Sequence, residues 1–214
     1  MVHFQSHHNI SLVSLFSSSQ QQQQQKAMAE IKPTGTNNTS NSRISFLIYT
    51  NSSYGIRISY PAEWQKTEYD NRFIKNFSDI VSFKPRVNSN GNNISQQSIS
   101  PPPPPTVFIR VWNLSSDSGS LEQFTKSRME SFKHLGTLVV NSNSTTVGGN
   151  AGYRVEYIVK TPPTLPPLNL KGLQVWTLDD SNKAYTITYT ADPKDYSNYL
   201  PIAQMMINSF QTAK

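Results

Sequence analysis

The sequence predicts an α+β layered domain, and three observations carry that prediction. Short stretches of alternating apolar residues are separated by turns rich in Gly, Asn, Asp and Pro. One amphipathic helix, residues 120–136, stands between two groups of such stretches, and a second helical pattern closes the chain. Strands joined by tight turns pair antiparallel, and helices placed between and after them have a sheet to cover.

The domain starts near Ile44 with the β-prone run ISFLIYT, followed by the turn NSS. In YGIRISYPAEW (54–64) the side chains of Tyr54, Ile56, Ile58 and Tyr60 fall on one face at period two, with Arg57 and Ser59 on the other. Pro61 cannot donate to a ladder, so it ends the strand or opens a turn. Pro-Ala-Glu suits a first helical turn, with Trp64 folding back over the sheet end as an apolar plug. DIVSFKP (79–85) is a short strand stopped by Pro85. TVFIRVWNL (106–114) is a longer one that sets Val107, Ile109 and Val111 against Phe108, Arg110 and Trp112.

In the helix 120–136, Ser120 with Gln123 fits a capping box, and Gly136 fits a left-handed stop. Leu121, Phe124, Met129, Phe132 and Leu135 form the apolar stripe; Glu122, Lys126, Arg128 and Lys133 are expected to point away. Its basic face is too narrow to favour a membrane-surface helix over one laid on a sheet. TLVVN (137–141) reads as a strand, VGGNAG as a turn, and YRVEYIVK (153–160) as a strand with Tyr153, Val155, Tyr157 and Val159 on one face. LKGLQVWTL (170–178) and AYTITYTA (184–191) form a hairpin across DDSNK, with Tyr185, Ile187 and Tyr189 sharing a face. In the last stretch, 192–210, Pro201 is placed where a new helix begins, and Leu200, Met206, Ile207 and Phe210 can reach the sheet.

The 214 residues suffice for one domain of 44–212 plus a leader. Residues 1–43, rich in Ser, Gln, Asn and Thr, cannot bury enough apolar area to offset ordering entropy and are expected to be disordered. Proline-rich loops are expected at 86–106 and 161–169; the first contains Pro101–Pro105, a stiff polyproline rod that reads as a spacer or surface insertion, or else as a ligand for an aromatic groove. The net charge of +6 is dispersed, without the Lys/Arg run of a nucleic-acid binder. The absence of cysteine removes disulfides, thiolate metal sites and thiol nucleophiles. No apolar run reaches the roughly 18 residues of a membrane helix.

Five pieces in this order, namely YGIRISYPAEW, the helix 120–136, VGGNAGYRVEY, LQVWTL with AYTITYTA, and DPKDYSNYLPIAQMMINSF, resemble the PsbP family over about residues 46–210. The nearest flavour is its PsbP-like, non-photosynthetic archaeal or bacterial group. The resemblance implies a central antiparallel sheet of about six strands with helices on both faces, an α/β/α sandwich shared with the Ran-binding nucleotide-release factors. It also implies that the stop at Pro61 turns the chain off the sheet and that Trp64 closes one end of the core. It carries no catalytic set, and its photosynthetic members are non-enzymatic and peripheral to a membrane.

The residues themselves nominate no catalytic, cofactor-binding or metal position. His134, the domain's lone histidine, reads as a surface residue at a helix end, and His3, His7 and His8 lie in the leader. Asp179, Asp180 and Asn182, and again Asp192 and Asp195, offer hard oxygens, but without calcium-loop spacing they read as turn and cap residues. Sequons at Asn9, Asn37, Asn38, Asn51, Asn76, Asn93, Asn113 and Asn143 tilt the reading toward export. An export signal around ISLVSLF and AMA competes with a start at Met28, because the intervening glutamine tract is too polar for a signal peptide. The expected function is therefore a non-catalytic binding or assembly module, exported or at the cell surface, that acts on a protein partner, with peripheral membrane association left open. The alternative is an intracellular, cytoplasmic regulator of a small GTPase.

Overall fold

The computed structural model describes residues 44–70, 76–86, 103–114, 119–160 and 169–212. The leader with His3, His7 and His8, most of the loop expected at 86–106 and nearly all of that at 161–169 lie outside the described residues.

The elements are β1 (Phe46–Asn51), β2 (Ile56–Pro61), β3 (Trp64–Glu68), β4 (Phe77–Pro85), β5 (Thr106–Asn113), α1 (Leu121–His134), β6 (Leu138–Val147), β7 (Asn150–Lys160), β8 (Asn169–Leu178), β9 (Lys183–Ala191), α2 (Pro193–Asn208) and β10 (Gln211–Thr212). They make a mixed α+β fold with two antiparallel sheets: seven strands in the order β3-β4-β5-β9-β8-β7-β6, and three in the order β1-β2-β10. The expected six or so strands are thus seven, and a second small sheet joins them.

That second sheet explains the abrupt end of β2. The expected helical turn after Pro61 is instead a two-residue turn, Ala62–Glu63, and Trp64 opens β3 in the other sheet, opposite Pro85. β10 pairs only with Ile56 and Arg57, so Pro61 removes no donor from that ladder. Trp64 is buried, with its ring 6.2 Å from that of Tyr199 on α2. The chain passes from one sheet to the other at a proline, and a tryptophan seals the corner.

Two apolar clusters lie on alternate residues of the large sheet. Leu173 and Val175 of β8, Ile187 and Tyr189 of β9 and Val107, Ile109 and Val111 of β5 join Ile56 and Ile58 of β2 and Ala203, Met206 and Ile207 of α2. Trp176 of β8, Val155 and Tyr157 of β7 and Ala184 of β9 pack with Phe124 and Phe132 of α1. Ile56, Val111, Phe132 and Phe210 are all buried.

Helix α1 starts and stops as its sequence demands. The Gln123 N–H donates to the Ser120 hydroxyl at 3.1 Å. At the other end the Gly136 N–H reaches the Lys133 carbonyl and the Thr137 N–H reaches Phe132, a Schellman closure that Gly136 permits at φ +65°. Two of its side chains differ from expectation. Leu135, placed in the apolar stripe, is 76% exposed, because the helix has already ended when the chain reaches it. Arg128, placed on the solvent face, turns inward over the sheet. A guanidinium on an alkyl stem can lie against aromatic rings while its tip finds polar partners. Pro201 is also not a helix start: α2 runs unbroken from Pro193, capped by Asp192, whose carboxylate accepts the Lys194 N–H at 2.9 Å.

Candidate functional site

The side chains of β4, β5, β8 and β9 that face α1 are mostly aromatic or polar, among them Phe77, Asp79, Arg110, Trp112, Gln174, Trp176, Thr186 and Thr188, with Ala184 and Leu178 as smaller apolar members. Period two places Arg110 and Trp112 together on β5, with Asp79 directly across on β4. Arg110 Nε donates to Asp79 Oδ1 at 2.5 Å, and its guanidinium lies 4.0 Å from the Phe77 ring and 5.5 Å from that of Trp112. The Trp112 indole N–H donates to Thr186 Oγ1 at 3.3 Å, and that of Trp176 to Thr125 Oγ1 at 2.8 Å. α1 is thereby tied to the sheet by a polar bond beside the Phe124–Trp176 ring contact.

Arg128 is the exceptional member. Its guanidinium lies 5.1 Å from the Trp112 ring and 5.5 Å from that of Phe132. Nη2 donates to Gln174 Oε1 at 3.1 Å, and the Gln174 amide donates in turn to Thr188 Oγ1 at 2.6 Å. Nε is buried with no hydrogen-bond partner. Among the described residues no carboxylate pairs with Arg128. Burial, and secondarily the nearby charge of Arg110, lower its pKa from the ordinary guanidinium value. Burial also pushes the Tyr157 hydroxyl, on the same face, up to about 12.

Arg128 forms part of the wall of a cleft of about 340 Å³ between α1 and the end of β5. Its other walls are Trp112, Leu114 and Phe124, and its rim carries Asn76, Asn113, Gln123, Ser127 and Ser131. Sequence reasoning read Arg110, Trp112 and Arg128 as strand or surface residues; the signal it passed over was the i, i+4 spacing of Phe124, Arg128 and Phe132, which puts the arginine inside the aromatic stripe.

The acidic clusters resolve as local structure. Asp179 caps the β8–β9 turn: it accepts the Ser181 and Lys183 N–H groups, each at 2.9 Å, and the Ser181 and Tyr185 hydroxyls, each at 2.8 Å. With Asp180, Ser181 and Lys183 it borders a polar cleft of about 650 Å³ below the turn that follows β1. Asp192 caps α2. His134 is exposed at the end of α1. Among the described residues no cluster of His, Asp and Glu could hold a metal ion, and no helix is long and apolar enough to cross a membrane.

The fold and this face define a class first: an antiparallel-sheet scaffold with a polar-aromatic surface beside one helix. The family model described as PsbP matches residues 44–212, and the chain belongs to that family. Solved structures agree on the fold. The solution structure of cyanobacterial PsbP (CyanoP) from Synechocystis is similar at TM-score 0.53 and 14% identity, over 85% of this chain and 99% of that one. LpqN, involved in cell envelope biogenesis of Mycobacterium tuberculosis, is similar at TM-score 0.53 and 13% identity, over 81% and 94%. The Ran-binding protein Mog1p of Saccharomyces cerevisiae is similar at TM-score 0.50 and 7% identity, over 80% and 97%. Among curated proteins none matches this sequence.

Proposed function

We propose that this PsbP-family chain is a non-catalytic binding or assembly module, exported or at the cell surface, that engages a protein partner through the cleft beside α1. The observation that carries the reading is Arg128: a half-buried cation with no carboxylate partner among the described residues, set against Trp112 in an open cleft. Arginine and tryptophan are enriched among the residues that dominate protein interfaces, and both bind best where water is excluded. In this reading the two helices cover opposite faces of the large sheet as an α/β/α sandwich; the alternation of Leu173 and Val175 with Gln174 and Trp176 supports it. The domain is taken as 44–212, with the leader as an appended segment. The envelope role printed for LpqN and the exposed sequon at Asn143, away from the cleft, favour the exported location. The likeness to Ran-binding Mog1p favours the second reading, an intracellular regulator of a small GTPase.

Native purification with cross-linking and mass spectrometry tests the pair of readings. The expected result is an amino terminus processed after the leader, with cross-links from a partner to residues around the α1 cleft. An unprocessed, unglycosylated chain cross-linked to a GTPase would overturn the exported reading. A glycan on Asn76 or Asn113 would cover the cleft rim and count against the cleft as the contact surface.

A further inference from the structure

Resting on the binding-module reading, the chemistry of the cleft narrows what enters it. We propose that the occupant is an acidic segment of a partner protein, one of whose Asp or Glu carboxylates seats against Arg128. Arg110, the other guanidinium on this face, is satisfied by Asp79 within the fold. Among the described residues Arg128 bonds only the neutral Gln174 oxygen, and the charged group beside it is another cation, Arg110. Among the described residues, two cations share the Trp112 ring with a single carboxylate between them, one negative charge short. A cation partly withdrawn from water attracts a counter-charge more strongly than one on open surface.

The shape of the cleft favours a carboxylate on a peptide over other anions. The planar guanidinium fork matches a carboxylate edge on. Phosphate groups are usually held by several cations or a run of backbone N–H groups, whereas this cleft presents one arginine between the apolar walls Trp112 and Leu114. Those walls suit apolar residues flanking an acidic one, and the amides of Asn113 and Gln123 can bond an incoming main chain. A volume of about 340 Å³ accommodates one or two side chains and leaves the remaining partner contacts to the rim.

The test uses the full chain, isotope-labelled, with an acetylated and amidated pentapeptide Ala-Leu-Glu-Leu-Ala, its glutamine counterpart, and inorganic phosphate. The readouts are the Arg128 Nε–H and Trp112 indole N–H resonances, with the Trp64 indole as a control for the fold. The glutamate peptide should shift the first two and bind about tenfold or more tighter than the glutamine peptide, as expected for a charge-assisted bond. Arg128→Gln should abolish that preference while leaving the Trp64 signal in place. Because removing Arg128 also removes its packing on Trp112, Ser127→Glu gives a second arm: it places a carboxylate at an exposed helix position beside the cleft and should block the glutamate peptide without loss of fold. Equal binding of both peptides, a response to phosphate with no peptide preference, no response to either peptide, or undiminished binding in Ser127→Glu would each overturn the proposal. If native cross-links then mapped a partner to another face, the cleft would fall as the contact surface while the binding-module reading survived; if no partner cross-linked anywhere, that reading would fail too.

Discussion

The ring of Tyr157 occupies the space in which Gly172 would carry a side chain. The two residues are paired directly across β7 and β8, and a β-carbon built on Gly172 falls 2.6 Å from both Tyr157 Cε2 and its hydroxyl oxygen. On its other side the Tyr157 ring meets Phe132 of α1 at 5.0 Å between centroids. The glycine lets the tyrosine lie over the strand and reach the helix. Gly172→Ala should therefore cost about 2 kcal/mol in urea unfolding, because the ring must leave both contacts. Combining it with Tyr157→Ala should be less damaging than the sum of the single changes by about 1 kcal/mol. Strict additivity would show that the two residues do not share this space.

Asp179 makes a pH-dependent contribution. Burial alone would raise its carboxyl pKa, but bonds from the Lys183 N–H, the Ser181 hydroxyl, the Tyr185 hydroxyl and the Ser181 N–H together hold it below the ordinary value. A folded-state pKa below the unfolded one means that the unfolded chain binds the proton first as pH falls. The stabilisation is then complete above the unfolded value of about 4 and is lost as pH drops through the folded value. Asp179→Asn should cost about 1 kcal/mol at neutral pH, from weakened acceptance in the turn, and the gap to the parent should narrow below about pH 4. A gap that stays constant from neutral to acid pH would contradict the assignment.

The two ends of α1 give matched tests. Ser120→Ala removes the acceptor of the Gln123 N–H and should cost about 1 kcal/mol. Gly136→Ala forces a β-carbon into the left-handed region in open space, so its cost, about 1 kcal/mol, is conformational and not steric. Thermal unfolding of the two single variants and the double should show near-additive losses, since the sites are separated by the length of the helix.

The contrast between the caps and the cleft shows which physics the sequence displayed. Ser120, Gln123 and Gly136 act over three or four residues, and the strand faces of Val107–Val111 and Tyr185–Tyr189 follow from a strict period of two, so both were legible in order along the chain. The small sheet was not. Its β10 is the dipeptide Gln211–Thr212, with no periodicity to detect, and it closes against Arg57 and Ile56 from the opposite end of the domain. Pro61 marked a break in the chain, but a proline followed by Ala-Glu is compatible with a helical turn or a change of sheet, and only the pairing of Trp64 with Pro85 decides between them. Arg128 was assigned to solvent because charge normally outweighs position in an amphipathic pattern. Its actual setting depends on Trp112, which is adjacent only through the tertiary fold.

Pro201 supplies the last test. It lies in the ninth position of the sixteen-residue α2, where its ring replaces the N–H that would bond the Ser197 carbonyl. Both residues are exposed, so water can reach the orphaned carbonyl and the defect is tolerated. Pro201→Ala restores the bond and removes an interior-helix penalty of about 3 kcal/mol, while the freed unfolded chain gains back about 1 kcal/mol of entropy. Relaxation around the existing proline offsets a further part, leaving an expected gain of about 1 kcal/mol in urea unfolding. Trp64 fluorescence should be unchanged, because the Trp64–Tyr199 contact lies on the buried side of the helix, away from residue 201. A loss of stability with altered Trp64 emission would mean that the proline sets the path of α2, so that Tyr199 meets Trp64 and Met206 meets the core only along a helix bent at this position.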